Sequence, residues 1–279
     1  MSYATSTGTR IYFDDDGGGG RSDAPDPMLL IMGLGATHEW WHRLRPVFAE
    51  RFRTIVFDNR GAGRSDVPPP PYSIPQMADD AVAVMDAAGV ASAHIVGMSM
   101  GGYIAQELAL QNPARVRSLV LGCTSCGGRD GVPADAEVRA ALTARASMTR
   151  EQAMWAMAPY TFDASTPREV IAAEFARRLA TTMTNEGFFA QLQAIREWPG
   201  ALPRLGAIAA PTLVVHGDSD RLVPPENAGI LARAIPGAQL AMLAHASHIF
   251  FTDQFDAARD ALFAFFDRLP TGRAAATDA

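Results

Sequence analysis

A serine with a glycine two positions away on each side is the feature of this sequence that most directly suggests chemistry. Residues 95–102 read IVGMSMGG, which places Ser99 in a Gly-x-Ser-x-Gly pentapeptide after an apolar run and before a helical pattern. On a sharp strand-to-helix turn a serine hydroxyl projects above the sheet edge, and the free N–H groups of the helix point towards it. The pentapeptide alone is common, but this context favours a nucleophile over an ordinary turn.

A serine hydroxyl needs a base, and the base needs a partner that orients it. By resemblance to enzymes that carry this strand-to-helix turn, the acid and then the histidine are expected to follow Ser99 along the chain. Of the six histidines, three precede Ser99, and His216 ends a buried strand where we expect it to pack. His245 and His248 remain candidates for the base. Asp218 and Asp220, in the loop after the strand expected at 212–215, compete as the acid.

Short apolar runs that end at glycine or a polar residue alternate with helical patterns along the chain. Buried strands that alternate with helices predict an α/β fold with a mostly parallel sheet flanked by helices. The strands are expected at 9–14, 28–32, 54–57, 93–96, 116–121, 212–215 and 238–243. The helices are expected at 40–50, 73–88, 102–111 and 253–269.

Residues 135–198 interrupt the alternation, because they contain only helical patterns. Thr166 before Pro167 is expected to cap one helix, and Asn185 another. We therefore predict a small all-helical cap over one end of the sheet. The predicted division is a first part of the core at 1–128, the cap at 129–200, a second part of the core at 201–270 and a flexible tail at 271–279.

The sequence resembles the α/β-hydrolase superfamily over nearly its whole length, closest to small capped serine esterases and enol-lactonases. Residues 58–65, DNRGAGRS, resemble a loop of that family, and residues 217–224, GDSDRLVP, resemble its acid loop. The resemblance implies Asp220 as the acid, because in the family the acid stands three residues after the loop glycine and four before the proline. It implies His248 as the base, through the pattern that precedes the last helix.

A tetrahedral intermediate needs two preorganised donors for its negative oxygen. The backbone N–H of Met100, directly after the serine, is expected to be one, and that of Leu34 the other. Leu34 lies in a Gly-x-Gly turn after the strand at 28–32. Many relatives carry His-Gly at this turn where this chain has Met32-Gly33, so the polar bracing of the turn is left open.

The predicted cap is rich in methionine and aromatic side chains. We expect Trp40, Trp155, Met157 and Phe188 to line an apolar pocket. The substrate is therefore expected to be uncharged or largely apolar.

Composition excludes several other classes of protein. Charged residues make up 19% of the 279 residues and the net charge is −6, which does not suggest nucleic-acid binding. No apolar run reaches membrane-spanning length and no signal sequence is evident, so a cytoplasmic location is expected. The spacing of Cys123 and Cys126 matches a redox pair, but we interpret them as small structural thiols. No spacing typical of a metal, phosphate or dinucleotide site occurs, so we expect no cofactor.

The sequence thus predicts a serine hydrolase that cleaves carboxylic esters, including lactones, of small molecules through an acyl-enzyme. Two alternatives stay open. One is a carbon–carbon bond hydrolase of diketone ring-fission products, and the other is a ligand-binding receptor of the same fold without turnover. Oligomeric state is left open.

Overall fold

The computed structural model describes residues 2–20 and 25–269. The tail predicted at 271–279 lies outside the described residues. None of the described helices is long and apolar enough to cross a bilayer.

Within these two described ranges, eight strands form one sheet with the order β1-β2-β4-β3-β5-β6-β7-β8. The first two pairings, β1 with β2 and β2 with β4, are antiparallel, and every later pairing is parallel. This confirms the predicted α/β fold with a mostly parallel sheet. The strands are Ser2–Ser6 (β1), Thr9–Asp15 (β2), Pro27–Ile31 (β3), Arg53–Phe57 (β4), Ala93–Met98 (β5), Val116–Gly122 (β6), Thr212–Gly217 (β7) and Gln239–Leu243 (β8).

The described residues also form ten α-helices. They are Leu44–Ala49 (α1), Ile74–Ala87 (α2), Met100–Gln111 (α3), Ala136–Ala144 (α4), Arg150–Thr161 (α5), Arg168–Leu179 (α6), Asn185–Glu197 (α7), Glu226–Ala234 (α8), Phe250–Asp253 (α9) and Phe255–Phe266 (α10). The single helix predicted at 40–50 is instead a 3₁₀ turn, His38–Trp41, followed by α1. Pro46 has no backbone N–H and fits only the first turn of an α-helix, which is where α1 places it.

Both faces of the sheet are buried, because successive strand side chains point to opposite sides. In β3, Leu29 and Ile31 join a core cluster that includes α2, α3 and α8. Met28 and Leu30 join a second cluster with α1 and α10. This double burial explains why the parallel strands read as continuous apolar runs.

Four helices, α4 to α7, lie between β6 and β7, and we call residues 136–197 the helical insertion. Two predicted helix caps in this segment are wrong. Thr184, not Asn185, caps α7 by accepting the Gly187 N–H. Thr166 does not cap α6, because its hydroxyl donates to Asp253 instead. The division of the chain into a core and a cap at residues 128 and 200 remains a prediction.

Candidate active site

Ser99 sits on a strained turn between β5 and α3. Its φ of 56° and ψ of −120° lie in the region of positive φ, which residues other than glycine rarely adopt. Three hydrogen bonds hold this backbone: its N–H donates to Gly122 O at 2.9 Å, and its carbonyl accepts Gly102 N–H and Thr124 Oγ1, each at 2.8 Å. Strain maintained by so many contacts is typical of a functional position.

The flanking glycines are required by close backbone contacts. A Cβ on Gly97 would lie 2.3 Å from Gly101 O, and one on Gly101 would lie 2.1 Å from Ile31 O. Both distances are far inside van der Waals contact. A Cβ on Gly33 would lie 2.9 Å from the Cβ of Ser99. The spacing of the motif therefore follows from packing of the turn against β3 and the loop after it.

His248 and Asp220 form a buried pair. His248 Nδ1 lies 2.8 Å from Asp220 Oδ2, and both side chains are almost inaccessible to solvent. The other carboxylate oxygen, Oδ1, accepts the N–H groups of Leu222 and Val223 at 2.9 Å each. A carboxylate held in this way keeps the proton of the imidazole on Nδ1 and leaves Nε2 free to act as a base.

The other candidates for base and acid, His245 and Asp218, lie away from this pair. His245 is exposed, and its carbonyl accepts a hydrogen bond from Gln254. Asp218 is exposed, and its carboxylate accepts the Ala246 N–H at 3.5 Å, which joins two loops. Neither lines the cavity that contains Ser99 and His248.

A second imidazole, not anticipated as part of the site, also contacts Asp220. His216 is fully buried, and its Nε2 lies 2.8 Å from Val223 O and 3.2 Å from Asp220 Oδ2. Because a carbonyl only accepts, Nε2 carries the proton and donates towards the carboxylate as well. Its place directly before the loop glycine was the only sequence signal for this contact.

These neighbours determine the ionisation of the acid. Burial by itself raises the pKa of the Asp220 carboxyl, but the His248 and His216 imidazoles outweigh burial and hold the pKa below its ordinary value. Asp220 is therefore an anion at neutral pH and orients His248 without taking its proton.

The loop after β3 lies against Ser99, and Leu34 and Met100 both line the same cavity. Two side chains brace this loop. Asn59 Nδ2 donates to Met32 O at 2.8 Å. Gln191 of α7 accepts the Gly35 N–H at 2.9 Å and donates to Arg60 O at 2.8 Å. Gln191, which sequence reasoning missed, thus connects the helical insertion to the expected oxyanion loop.

Replacing Gln191 with leucine is expected to lower kcat/KM by about tenfold, because the Gly35 N–H and the Arg60 carbonyl lose their partner and the loop loses its position. The matched control is Gln193→Leu on the same helix, where the side chain is exposed and bonds only Glu197. Steady-state kinetics of both variants give the result. Equal loss in the two would refute the role of Gln191.

A cavity of about 320 Å³ opens above Ser99, between the sheet and the helical insertion. Trp40, Met157 and Phe188, three of the four predicted pocket residues, line it. Trp155 does not. It packs edge-on against Phe175 with ring centroids 4.9 Å apart, because α5 turns the Met154 and Met157 side chains, three residues apart, towards the cavity instead.

Both cysteines are buried free thiols. Cys123 lines the cavity, and burial raises the pKa of its thiol well above the ordinary range. The thiol is therefore protonated at neutral pH and a poor nucleophile.

Comparison with known proteins finds a hydrolase family model and relatives named as hydrolases, esterases or lactonases. Residues 26–255 match the family model described as alpha/beta hydrolase fold. A putative carbamate hydrolase from Azorhizobium caulinodans is 30% identical over 95% of this chain and 98% of its own. The enol-lactonase from Burkholderia xenovorans LB400 superposes with a TM-score of 0.84 at 27% identity, covering 95% of this chain and 100% of its own. A thermophilic esterase from Thermogutta terrifontis gives a TM-score of 0.80 at 27% identity, covering 96% and 98%.

Proposed function

The chain belongs to the α/β-hydrolase family, and on that premise we propose that it is a serine hydrolase that cleaves carboxylic esters, including lactones, of small, largely apolar molecules. One observation carries the proposal: a buried His248–Asp220 pair with an Nδ1–Oδ2 distance of 2.8 Å, in which His248 lines the same cavity as the strained Ser99.

The proposed reaction uses each part of this arrangement. Ser99 Oγ attacks the carbonyl carbon while His248 Nε2 takes its proton, and Asp220 stabilises the resulting imidazolium. The backbone N–H groups of Leu34 and Met100 stabilise the negative oxygen of the tetrahedral intermediate. His248 then gives the proton to the leaving alkoxide, and an acyl-enzyme remains. A water molecule, deprotonated by His248, releases the acid and restores the Ser99 hydroxyl.

Related chemistry at a carbonyl is a second candidate. A relative 30% identical over 95% of this chain is named a putative carbamate hydrolase, and the same nucleophile and base would attack a carbamate carbonyl. An amide anion is a far poorer leaving group than an alkoxide, so cleavage of the C–N bond of a carbamate depends more strongly on protonation of the nitrogen by His248.

Labelling with a fluorophosphonate tests the proposal together with a substrate series. We expect the probe to modify Ser99 alone, as read by peptide mapping, and p-nitrophenyl esters to be turned over alongside a lactone. A diketone ring-fission product and a carbamate, added to the same series, distinguish the other hydrolytic reactions. Absence of both labelling and turnover would instead favour the binding-receptor alternative.

A further inference from the structure

We propose that the cavity recognises a carboxylate at Arg178 and Trp40, so that the natural substrate is an ester or lactone with an apolar body and an acidic group. This rests on the proposed function and narrows its substrate class. Sequence analysis expected a largely apolar pocket and did not anticipate a charged group in it.

The formally charged side chains that line the cavity are all positive. Three arginines, Arg145, Arg150 and Arg178, line it, and among the described residues no aspartate, glutamate or lysine does. Arg150 already donates to the Arg178 carbonyl at 2.6 Å and to Thr181, so its guanidinium is occupied by structural contacts. Arg145 lies over the Phe188 ring at 4.5 Å and has no carboxylate partner among the described residues. An anion is thus the charge that this cavity favours.

Arg178 is the most deeply buried of the three. Its side chain is 5% exposed, and its Nε has no hydrogen-bond partner. Burial lowers the pKa of its guanidinium to about 10, which leaves it charged at neutral pH. A buried charge with an unpaired donor is costly, and an anion in the cavity would offset that cost.

Glu174 does not supply the missing acceptor. Glu174 Oε2 forms an ion pair with Arg178 Nη2 at 3.8 Å, which is too far for a hydrogen bond, and this oxygen has no other hydrogen-bond partner. The Glu174 Oε1 atom instead accepts Arg43 Nε at 2.5 Å and lies 3.4 Å from His42 Nε2. One carboxylate therefore faces two arginines, and Asp253 is a second carboxylate that acts electrostatically on Arg178.

A second unpaired donor stands beside the first. The Arg178 guanidinium lies over the Trp40 ring, 3.8 Å from its centroid. The buried Nε1 of Trp40 also has no hydrogen-bond partner. Both side chains line the cavity and each keeps an N–H group without a protein partner, and a carboxylate accepts through two oxygens. The same stacking holds the guanidinium plane in place before a ligand arrives.

Binding of matched ligands tests this site without requiring turnover. In a Ser99→Ala background, calorimetry should show phenylbutanoate bound more tightly than phenylbutanamide, by at least about tenfold. Arg178→Met should abolish the preference. Arg177→Met, the exposed neighbour on α6, should retain it. Equal affinity for acid and amide before any arginine is changed would overturn the proposal, whatever the folding of the Arg178 variant.

Steady-state kinetics test whether this anion site binds a carboxylate that belongs to the substrate. The unmodified enzyme is expected to hydrolyse meta-acetoxybenzoate with a higher kcat/KM than meta-acetoxybenzamide, and Trp40→Phe should reduce the ratio by removing one donor while keeping the ring. Equal values for the two esters would overturn the assignment of the carboxylate to the substrate. If neither ester is cleaved while the acid still binds preferentially, the esterase proposal fails and the anion site stands.

Discussion

Replacing Ser99 with alanine is expected to lower ester turnover by about 10⁴- to 10⁶-fold. The substitution removes the atom that attacks the carbonyl and leaves His248 without a proton to accept. Residual turnover would come from the oxyanion donors and from binding alone. Steady-state turnover of a p-nitrophenyl ester gives the ratio, and the missing acyl-enzyme should remove any pre-steady-state burst of p-nitrophenol seen with the unmodified enzyme.

Ser118→Ala is the matched control. Ser118 is a buried serine of the same sheet, in β6, and its hydroxyl contacts His94 at 2.7 Å rather than any residue of the cavity. Its removal should lower stability slightly and leave turnover within a few-fold of normal. Turnover of the Ser99 variant within tenfold of the unmodified enzyme would rule out a serine mechanism at this position.

Replacing Asp220 with asparagine is expected to lower kcat by about 10⁴-fold. Oδ1 accepts two backbone N–H groups, so the amide oxygen must remain there and the amide nitrogen must face His248. An amide N–H donor cannot accept the proton on His248 Nδ1. The imidazole would therefore adopt the tautomer protonated on Nε2, which cannot take the proton of Ser99.

Asp218→Asn provides the comparison, because Asp218 is two residues away, exposed, and outside the cavity. Its variant should keep nearly full kcat. Nuclear magnetic resonance of the histidine ring nitrogens would report the tautomer directly in both variants. A normal kcat in the Asp220 variant, or loss of kcat only in the Asp218 variant, would show that Asp220 is not the catalytic acid.

The succession of strands, helices and turns along the chain was predictable, because each of these elements depends on residues close together in sequence. Each buried parallel strand is a short apolar run, and the turn at Ser99 has glycines where a Cβ would meet neighbouring backbone. The antiparallel strand β1 was missed, since its SYATS sequence is short and only weakly apolar. The short helix α9, which comes before the helix predicted at 253–269, was also missed.

Order along the chain and position in the expected loops reduced the candidate base to His245 and His248 and the candidate acid to Asp218 and Asp220, and family resemblance chose between them. The folded chain supplies a physical distinction: of these four candidates, only His248 and Asp220 are buried, and they contact each other. The contact of His216 with the same carboxylate could not be derived, because it depends on how the loop after β7 turns back over the strand end.

The sequence by itself determined the alternation of strands and helices, the turn at Ser99 and a short set of candidate partners, because local sterics and hydrophobic pattern decide these. Only the tertiary structure decided which side chains of the helical insertion reach the site. Gln191 contacts Gly35 across 156 positions of sequence while Gln193 faces solvent, and Arg178 enters the cavity while Arg177 does not. Which face of a helix meets a distant loop is a matter of packing between elements, and no short stretch of sequence contains it.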